Sequence, residues 1–311
     1  MSALPDFLKG PEWKDATQEP LTGDASARRY FRLRTGNNTA ILMDASRIKE
    51  VIGPFVGMDE HLLQLGFSAP KIFARDSENG FLLLEDFGDQ TFSGLLDGGL
   101  DAETLFMLGT DVLASLHKHP GAVPNGLRTY YPQAMRQDAE LYLIVHGISG
   151  AGENEFRTIW NEILPLAHQI PVSLLLRDYH AANLMMLARR EGVRRAGLLD
   201  FQDAYRGPVT YDLVSLLEDA RRDLPPGLKE KMITRYLNEF PALDRAQFRT
   251  SMTILSALRH TRVLAVFEKL SREGKPDYKQ LHSPRVERML RESLQHSKLR
   301  GLRDWFTRYA P

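Results

Sequence analysis

Leu174-Leu175-Leu176-Arg177-Asp178-Tyr179-His180-Ala181-Ala182-Asn183-Leu184-Met185-Met186-Leu187 decides the fold of this chain. An apolar run ends in a polar loop carrying Asp178 and Asn183, and a second apolar run follows at once. Residues 188–195 are a charged turn around Gly192, after which comes Ala196-Gly197-Leu198-Leu199-Asp200-Phe201. If the apolar runs pair as a hairpin, the chain returns to its start and Asp200 lies beside Asn183. Two carboxylates and an amide oxygen then gather at one end. Such hard oxygen ligands suit Mg2+, which keeps waters and takes further contacts from phosphates. An aspartate five residues before an asparagine is common in solvated loops, so Asp200 is the residue that argues for a site.

Working outward, the first 85 or so residues read as short strands. Residues 30–34 and 39–44 are β-rich and flank the turn-forming Thr35-Gly36-Asn37-Asn38, while residues 71–74 and 80–85 flank a second turn at 75–79. Phe55, Leu62, Leu63 and Leu65 suggest one helix between these pairs, ending at Gly66. After Gly88 the pattern turns helical. Asp101 caps a helix with Leu105, Leu108, Val112 and Leu116 at helical spacing, and Pro132 opens another. Helices are expected at 210–220, 227–240, 246–270 and 284–299, the last with Ser283 as N-cap and Pro284 at its first position. The fold class is therefore α+β, with an N-terminal sheet lobe at 1–87 and a larger, mainly helical lobe at 88–311. Glu85-Asp86-Phe87-Gly88-Asp89 reads as a hinge between them or as a surface loop, and the hinge reading expects a ligand there.

Forty Lys and Arg against forty Asp and Glu give zero formal net charge, which argues against a general polyanion binder, so no nucleic-acid partner is expected. Residues 259–308 hold thirteen basic and six acidic residues, a local excess that fits a solvated helical surface. The absence of cysteine excludes disulfides, thiolate metal sites and a cysteine nucleophile. No apolar run reaches the ~20 residues that span a bilayer, so the expectation is a cytoplasmic protein without a membrane partner. GxxxxGK[ST], GxGxxG and HExxH patterns are absent. Ser46-Arg47-Ile48-Lys49 lacks the companion motifs of serine acylases, and His117-Lys118-His119 reads as helix-end charge.

Leu176-Arg177-Asp178, Asn183 and Leu199-Asp200-Phe201 resemble the catalytic loop and metal-binding motif of protein-kinase-like phosphotransferases. His180 and Gly207-Pro208-Val209-Thr210-Tyr211-Asp212-Leu213 point to the aminoglycoside phosphotransferase branch. Gly23-Asp24-Ala25-Ser26, Arg28-Arg29-Tyr30-Phe31-Arg32, Leu42-Met43-Asp44-Ala45 and Asp200-Phe201-Gln202-Asp203-Ala204 are similar to bacterial kinases that phosphorylate N-acetylated amino sugars at C1 for cell-wall recycling. The resemblance runs from about Leu21 to Trp305 and implies a bilobal protein-kinase-like fold. It implies an ATP- and Mg2+-dependent kinase acting on a small-molecule sugar. Asp178 would orient the acceptor hydroxyl and take its proton, and Asn183 and Asp200 would hold Mg2+. His180 would touch phosphate or substrate, or make a structural hydrogen bond. Ser26, Leu84, Glu85 and Phe87 would bind nucleotide, Asp203 would meet substrate, and Asp212 would brace the catalytic loop or be an ordinary first-turn carboxylate.

Two departures qualify the resemblance. Leu176 replaces the histidine that usually starts the catalytic loop, and Met43 replaces the ATP-binding lysine of the third strand. Another cation must then meet the phosphates, from among Arg28, Arg29 and Arg32. Alternation puts Arg29 with Phe31 on one face and Tyr30 with Arg32 on the other, and Arg29 is taken as the nucleotide contact. Arg259 and Arg262 share apolar stripes in the helix at 246–270, so each needs either a protein carboxylate or a substrate anion. They are taken as candidates for the sugar or its carboxylate. The competing readings are another small acceptor (aminoglycoside, choline or homoserine) and an inactive nucleotide-binding scaffold.

Overall fold

The computed structural model describes residue 8, residues 12–21 and residues 28–310. In chain order the elements are β1 (Thr17–Leu21), β2 (Arg29–Thr35), β3 (Asn38–Asp44), α1 (Ile52–Gln64), β4 (Ile72–Asp76), β5 (Phe81–Glu85), α2 (Phe92–Asp97), α3 (Ala102–Lys118), α4 (Pro132–His146) and α5 (Ala151–Ala167). Then follow β6 (Val172–Leu175), β7 (Leu184–Met186), β8 (Ala196–Leu198), β9 (Tyr205–Pro208), α6 (Thr210–Leu217), α7 (Leu228–Asn238), α8 (Arg245–Arg272), α9 (Asp277–Ser293) and α10 (Arg300–Tyr309). They form two compact units. One comprises residues 1–100 with 182–204, the other residues 101–181 with 205–311.

The first unit is built on an antiparallel sheet of order β1-β2-β3-β5-β4. β2 and β3 pair from Arg29↔Asp44 to Thr35↔Asn38, and Gly36 takes the φ of +54° that closes the turn. Because strand side chains alternate, Leu33 joins Leu8, Trp13, Ala40, Leu42 and Leu83 in a cluster, while Tyr30 and Arg32 lie on the opposite face. The short β7–β8 hairpin, pairing Leu184 with Leu198, belongs to this unit. Bridges from Thr91 to Met185 and from Ser68 to Gly197 attach it, and Ser68 Oγ donates to the Arg194 carbonyl at 2.7 Å. The division thus departs from a single cut at residue 87. Backbone hydrogen bonds draw 182–204 away from their sequence neighbours.

The second unit is helical, with a β6–β9 ladder carrying the chain into the catalytic-loop segment. Its core holds Phe156, Trp160, Tyr211, Leu255, Leu258 and Trp305. Trp305 can be fully buried because its indole N–H donates to the Gly152 carbonyl at 2.7 Å. Asp101 caps α3 by accepting from the Glu103 and Thr104 amides, and Pro132 opens α4, as the sequence suggests.

Other expectations are corrected. α9 starts at Asp277 rather than Pro284, and Pro284 lies inside it. Losing one backbone hydrogen bond there is compatible with a helix whose Val286 and Leu290 are buried. α5 is additional: Phe156, Ile159, Trp160, Ile163 and Leu164 form its buried stripe, interrupted in appearance by Pro165 near its end. His117 is no helix-end charge. It is half-buried with its Nδ1 2.7 Å from the Tyr236 hydroxyl, and desolvation pushes its pKa down to about 4.

Candidate active site

In the helical unit, β6 runs directly into Leu176 and Arg177, where the backbone turns sharply. Arg177 has φ +67°, and together with Asp200 at +59° it makes up the non-glycine positive-φ residues among those described. Left-handed backbone costs a side-chain-bearing residue about 1–2 kcal/mol, so something must hold it. Asp212, fully buried in the first turn of α6, accepts the Leu176 amide at 2.5 Å and the Arg177 amide at 2.9 Å. It braces the loop from below rather than serving as a solvated first-turn charge. Burial pushes its carboxyl up to about 7, against the pull of the two amides and of Arg259.

The Arg177 side chain is anchored too. Its guanidinium donates to Asp138 at 2.8 Å and lies over the Tyr130 and Tyr205 rings. The next residue is Asp178, whose position is therefore set by a loop fixed at both backbone and side chain. Beside it, His180 is 7% exposed. Burial pushes its pKa down, Asp219 and Asp178 pull it up, and Arg221 and Arg259 push it further down. The loop thus brings Asp178 and His180 into one electrostatic cluster with Asp212, Asp219, Arg221 and Arg259, of which Asp219 and Arg221 were not anticipated. Arg259 is buried and has no salt bridge within 4 Å among the described residues. Arg262 instead reaches Asp138 at 3.7 Å, so the protein-carboxylate alternative describes it.

The sheet unit contributes a cavity of about 640 Å3. Its walls include Ile41, Phe55, Leu84, Met185, Leu199 and Phe201, a slot for a flat apolar ring system. Leu84 and Glu85, at the end of β5, and Phe87 just beyond it are among its lining residues. Glu85 is held by Arg190 at 2.5 Å, and the Phe87 ring lies so close to Gly197 that a Cβ there would come within 2.8 Å of it. Gly197 is needed for that approach.

The polar end of the same cavity carries Asn183 and Asp200. The β7–β8 register brings them together, with the Asn183 amide nitrogen 3.5 Å from Asp200 Oδ2. A half-turn of that amide presents its oxygen instead. One carboxylate and one amide oxygen fit a hard divalent cation that completes its shell from phosphate and water. Asp200 Oδ1 is occupied differently: Arg28 donates to it at 2.5 Å and Gln202 at 3.1 Å. Asp203 follows on the same exposed coil, accepting from Gln202.

The three arginines sort unlike the expectation. Arg29 is not on the cavity face; it is half exposed and pairs with Asp44, whose other oxygen takes the Ser46 amide and hydroxyl. The lining face is Arg28, Tyr30 and Arg32, every second residue. Met43 is fully buried between Tyr30 and Leu82 in the sheet. Ser26 lies outside the described residues.

Residues 17–249 match the model of the phosphotransferase enzyme family, APH. The N-acetylmuramate/N-acetylglucosamine kinase of Caulobacter vibrioides is 32% identical, the match covering 98% of this chain and 95% of that protein. The protein of that name from Pseudomonas aeruginosa is 34% identical over 89% of this chain and 85% of its own length. Among solved structures, the choline kinase LicA from Streptococcus pneumoniae superposes with a TM-score of 0.63 at 16% identity, covering 89% of this chain and 93% of that one. That likeness shows the α+β protein-kinase-like fold. Among the described residues no helix is long and apolar enough to cross a membrane.

Proposed function

The chain belongs to the phosphotransferase enzyme family, and from that premise we propose that it transfers the γ-phosphoryl group of ATP to the C1 hydroxyl of N-acetylmuramate and N-acetylglucosamine, in reuse of cell-wall sugars. The observation that carries this reading is the pairing of Asn183 and Asp200 at the polar end of an apolar-walled cavity, only five residues along the chain from Asp178 at the nearer of the two. The acceptor is supported by the names of the relatives that match over most of their length.

In this reading the adenine occupies the apolar part of the cavity, against the segment formed by Leu84, Glu85 and Phe87. Asp178 accepts a hydrogen bond from the sugar hydroxyl and takes its proton as the new O–P bond forms; the bond from the γ-phosphorus to the bridging oxygen breaks and ADP leaves. Asp212 acts through the loop by fixing the direction of Asp178. Asn183 and Asp200 would hold Mg2+, which when bound neutralises charge on the β- and γ-phosphates. His180, buried and held neutral, offers a hydrogen bond at the acceptor, and Asp203 one to sugar hydroxyls. Arg259 meets the lactyl carboxylate of N-acetylmuramate, an anion suited to a buried guanidinium that forms no salt bridge within 4 Å among the described residues.

ADP release from ATP and Mg2+ with N-acetylglucosamine, N-acetylmuramate, kanamycin, choline and homoserine tests the proposal. Release dependent on the two amino sugars supports it. Release only with choline, homoserine or kanamycin rejects the acceptor while keeping the chemistry.

A further inference from the structure

A nucleotide triphosphate carries several negative charges into a cavity that already presents Asp86, Asp89 and Asp200. It needs a cation there in addition to any metal, and β3 supplies none, because Met43 is apolar and fully buried. The candidates are the basic residues at the start of the sheet. Arg29 is excluded by its face and by its pairing with Asp44. Arg32 is committed: it reaches Asp86 at 2.8 and 3.0 Å, Asp89 at 2.7 Å and the Gly88 carbonyl at 3.1 Å, pinning the segment after β5. Arg28 lines the cavity and forms an ion pair with Asp200 at 2.5 Å.

We propose that Arg28 is the phosphate-binding cation of this site and that it exchanges partners, held by Asp200 in the nucleotide-free protein and moving to the phosphates when nucleotide enters. The proposal rests on the phosphotransferase reading of the cavity. Its physical basis is that one guanidinium can satisfy either a carboxylate or a phosphate with paired N–H donors. The same carboxylate assigned to the cation is thereby kept neutralised until a nucleotide arrives. Arg28 is 11% exposed at the side chain and Asp200 34%, and both line the cavity. Burial works against the charge on Arg28, and the nearby Asp200 and Asp203 work for it; the net effect raises its pKa and keeps it cationic.

Calorimetry on the full chain, in EDTA and then in Mg2+, with ATP and adenosine as separate probes, tests the exchange. In EDTA, Arg28→Gln should weaken ATP binding about tenfold or more and change adenosine binding less than twofold, while Arg29→Gln changes neither. Arg28→Lys should keep most of the ATP affinity. Asp200→Asn supplies an independent arm that does not alter Arg28. By removing the carboxylate that competes with phosphate for the guanidinium, it should tighten metal-free ATP binding several-fold while abolishing the gain that Mg2+ brings. Unchanged ATP affinity in Arg28→Gln, equal losses for ATP and adenosine, or metal-free affinity that is unchanged or weaker in Asp200→Asn would overturn the proposal. If Arg28→Gln does not fold, the Asp200→Asn arm decides. A wild-type chain that binds adenosine and ATP equally, with and without Mg2+, would reject the phosphotransferase reading itself, a result distinct from those.

Discussion

Asp59 in α1 is fully buried, and neither of its carboxylate oxygens has a hydrogen-bond partner among the described residues. Burial, reinforced by Glu60 and Glu85, pushes its pKa from the ordinary 3.8 up to about 7. The sign follows from proton binding. Between pH 4 and 7 the folded protein holds a proton that the unfolded chain has lost, so stability falls as pH rises through that window and levels off above it. Each tenfold difference in proton affinity corresponds to about 1.4 kcal/mol, which gives about 4 kcal/mol as an upper figure for the ionised group. Asp59→Asn is isosteric and cannot ionise. Urea denaturation of both proteins from pH 4.5 to 8 should show the wild type losing about 2–4 kcal/mol relative to the variant. The consequence reaches the site, because Phe55, one turn earlier in α1, lines the cavity and packs on Phe201 at 5.1 Å between ring centroids. Parallel stability curves for the two proteins would refute the reasoning and show that the Asp59 carboxyl is solvated or paired in solution.

Other outcomes follow from the loop and the hairpin. Asp212→Ala leaves the buried Leu176 amide without its acceptor, at about 1–3 kcal/mol, and frees the part-buried Arg177 amide and its turn; urea melts should show that loss, and turnover should fall about a hundredfold while adenosine binding is unchanged. Asp178→Asn should bind ATP as the wild type does yet lose roughly 100- to 10,000-fold in turnover, the range of a general base; unchanged turnover removes the residue from its role. Gly197→Ala drives a methyl to 2.8 Å from the Phe87 ring, so it should cost about 1–3 kcal/mol in stability and weaken adenosine binding several-fold, read by calorimetry.

The half-site on the hairpin was legible because its chemistry is local. Asn183 and Asp200 are joined by a turn of readable length around Gly192, and β-pairing alone brings them together. Asp178 was marked by its position between apolar runs. What holds it was less visible: Asp212 lies thirty-four residues later, and only packing of α6 aims its carboxylate at the Leu176 and Arg177 amides. Alternation along β2 separated Arg29 from Arg32, but which face meets the cavity depends on the side covered by Leu8 and Trp13. The same period extended one step back picks out Arg28. α5 escaped because Pro165 masks a regular buried stripe, and the assignment of 182–204 to the sheet unit depends on bridges from Ser68 and Thr91, residues with no distinguishing pattern in the sequence.

The most direct test of the central claim is the position of the phosphate in the product made from ATP, Mg2+ and N-acetylglucosamine, read by phosphorus and proton NMR. The account expects a phosphate on C1, with the anomeric proton split by phosphorus and the rate of product formation with Asp178→Asn lowered about a hundredfold or more. Phosphate on C6, or ATP hydrolysis without any sugar phosphate, would contradict it.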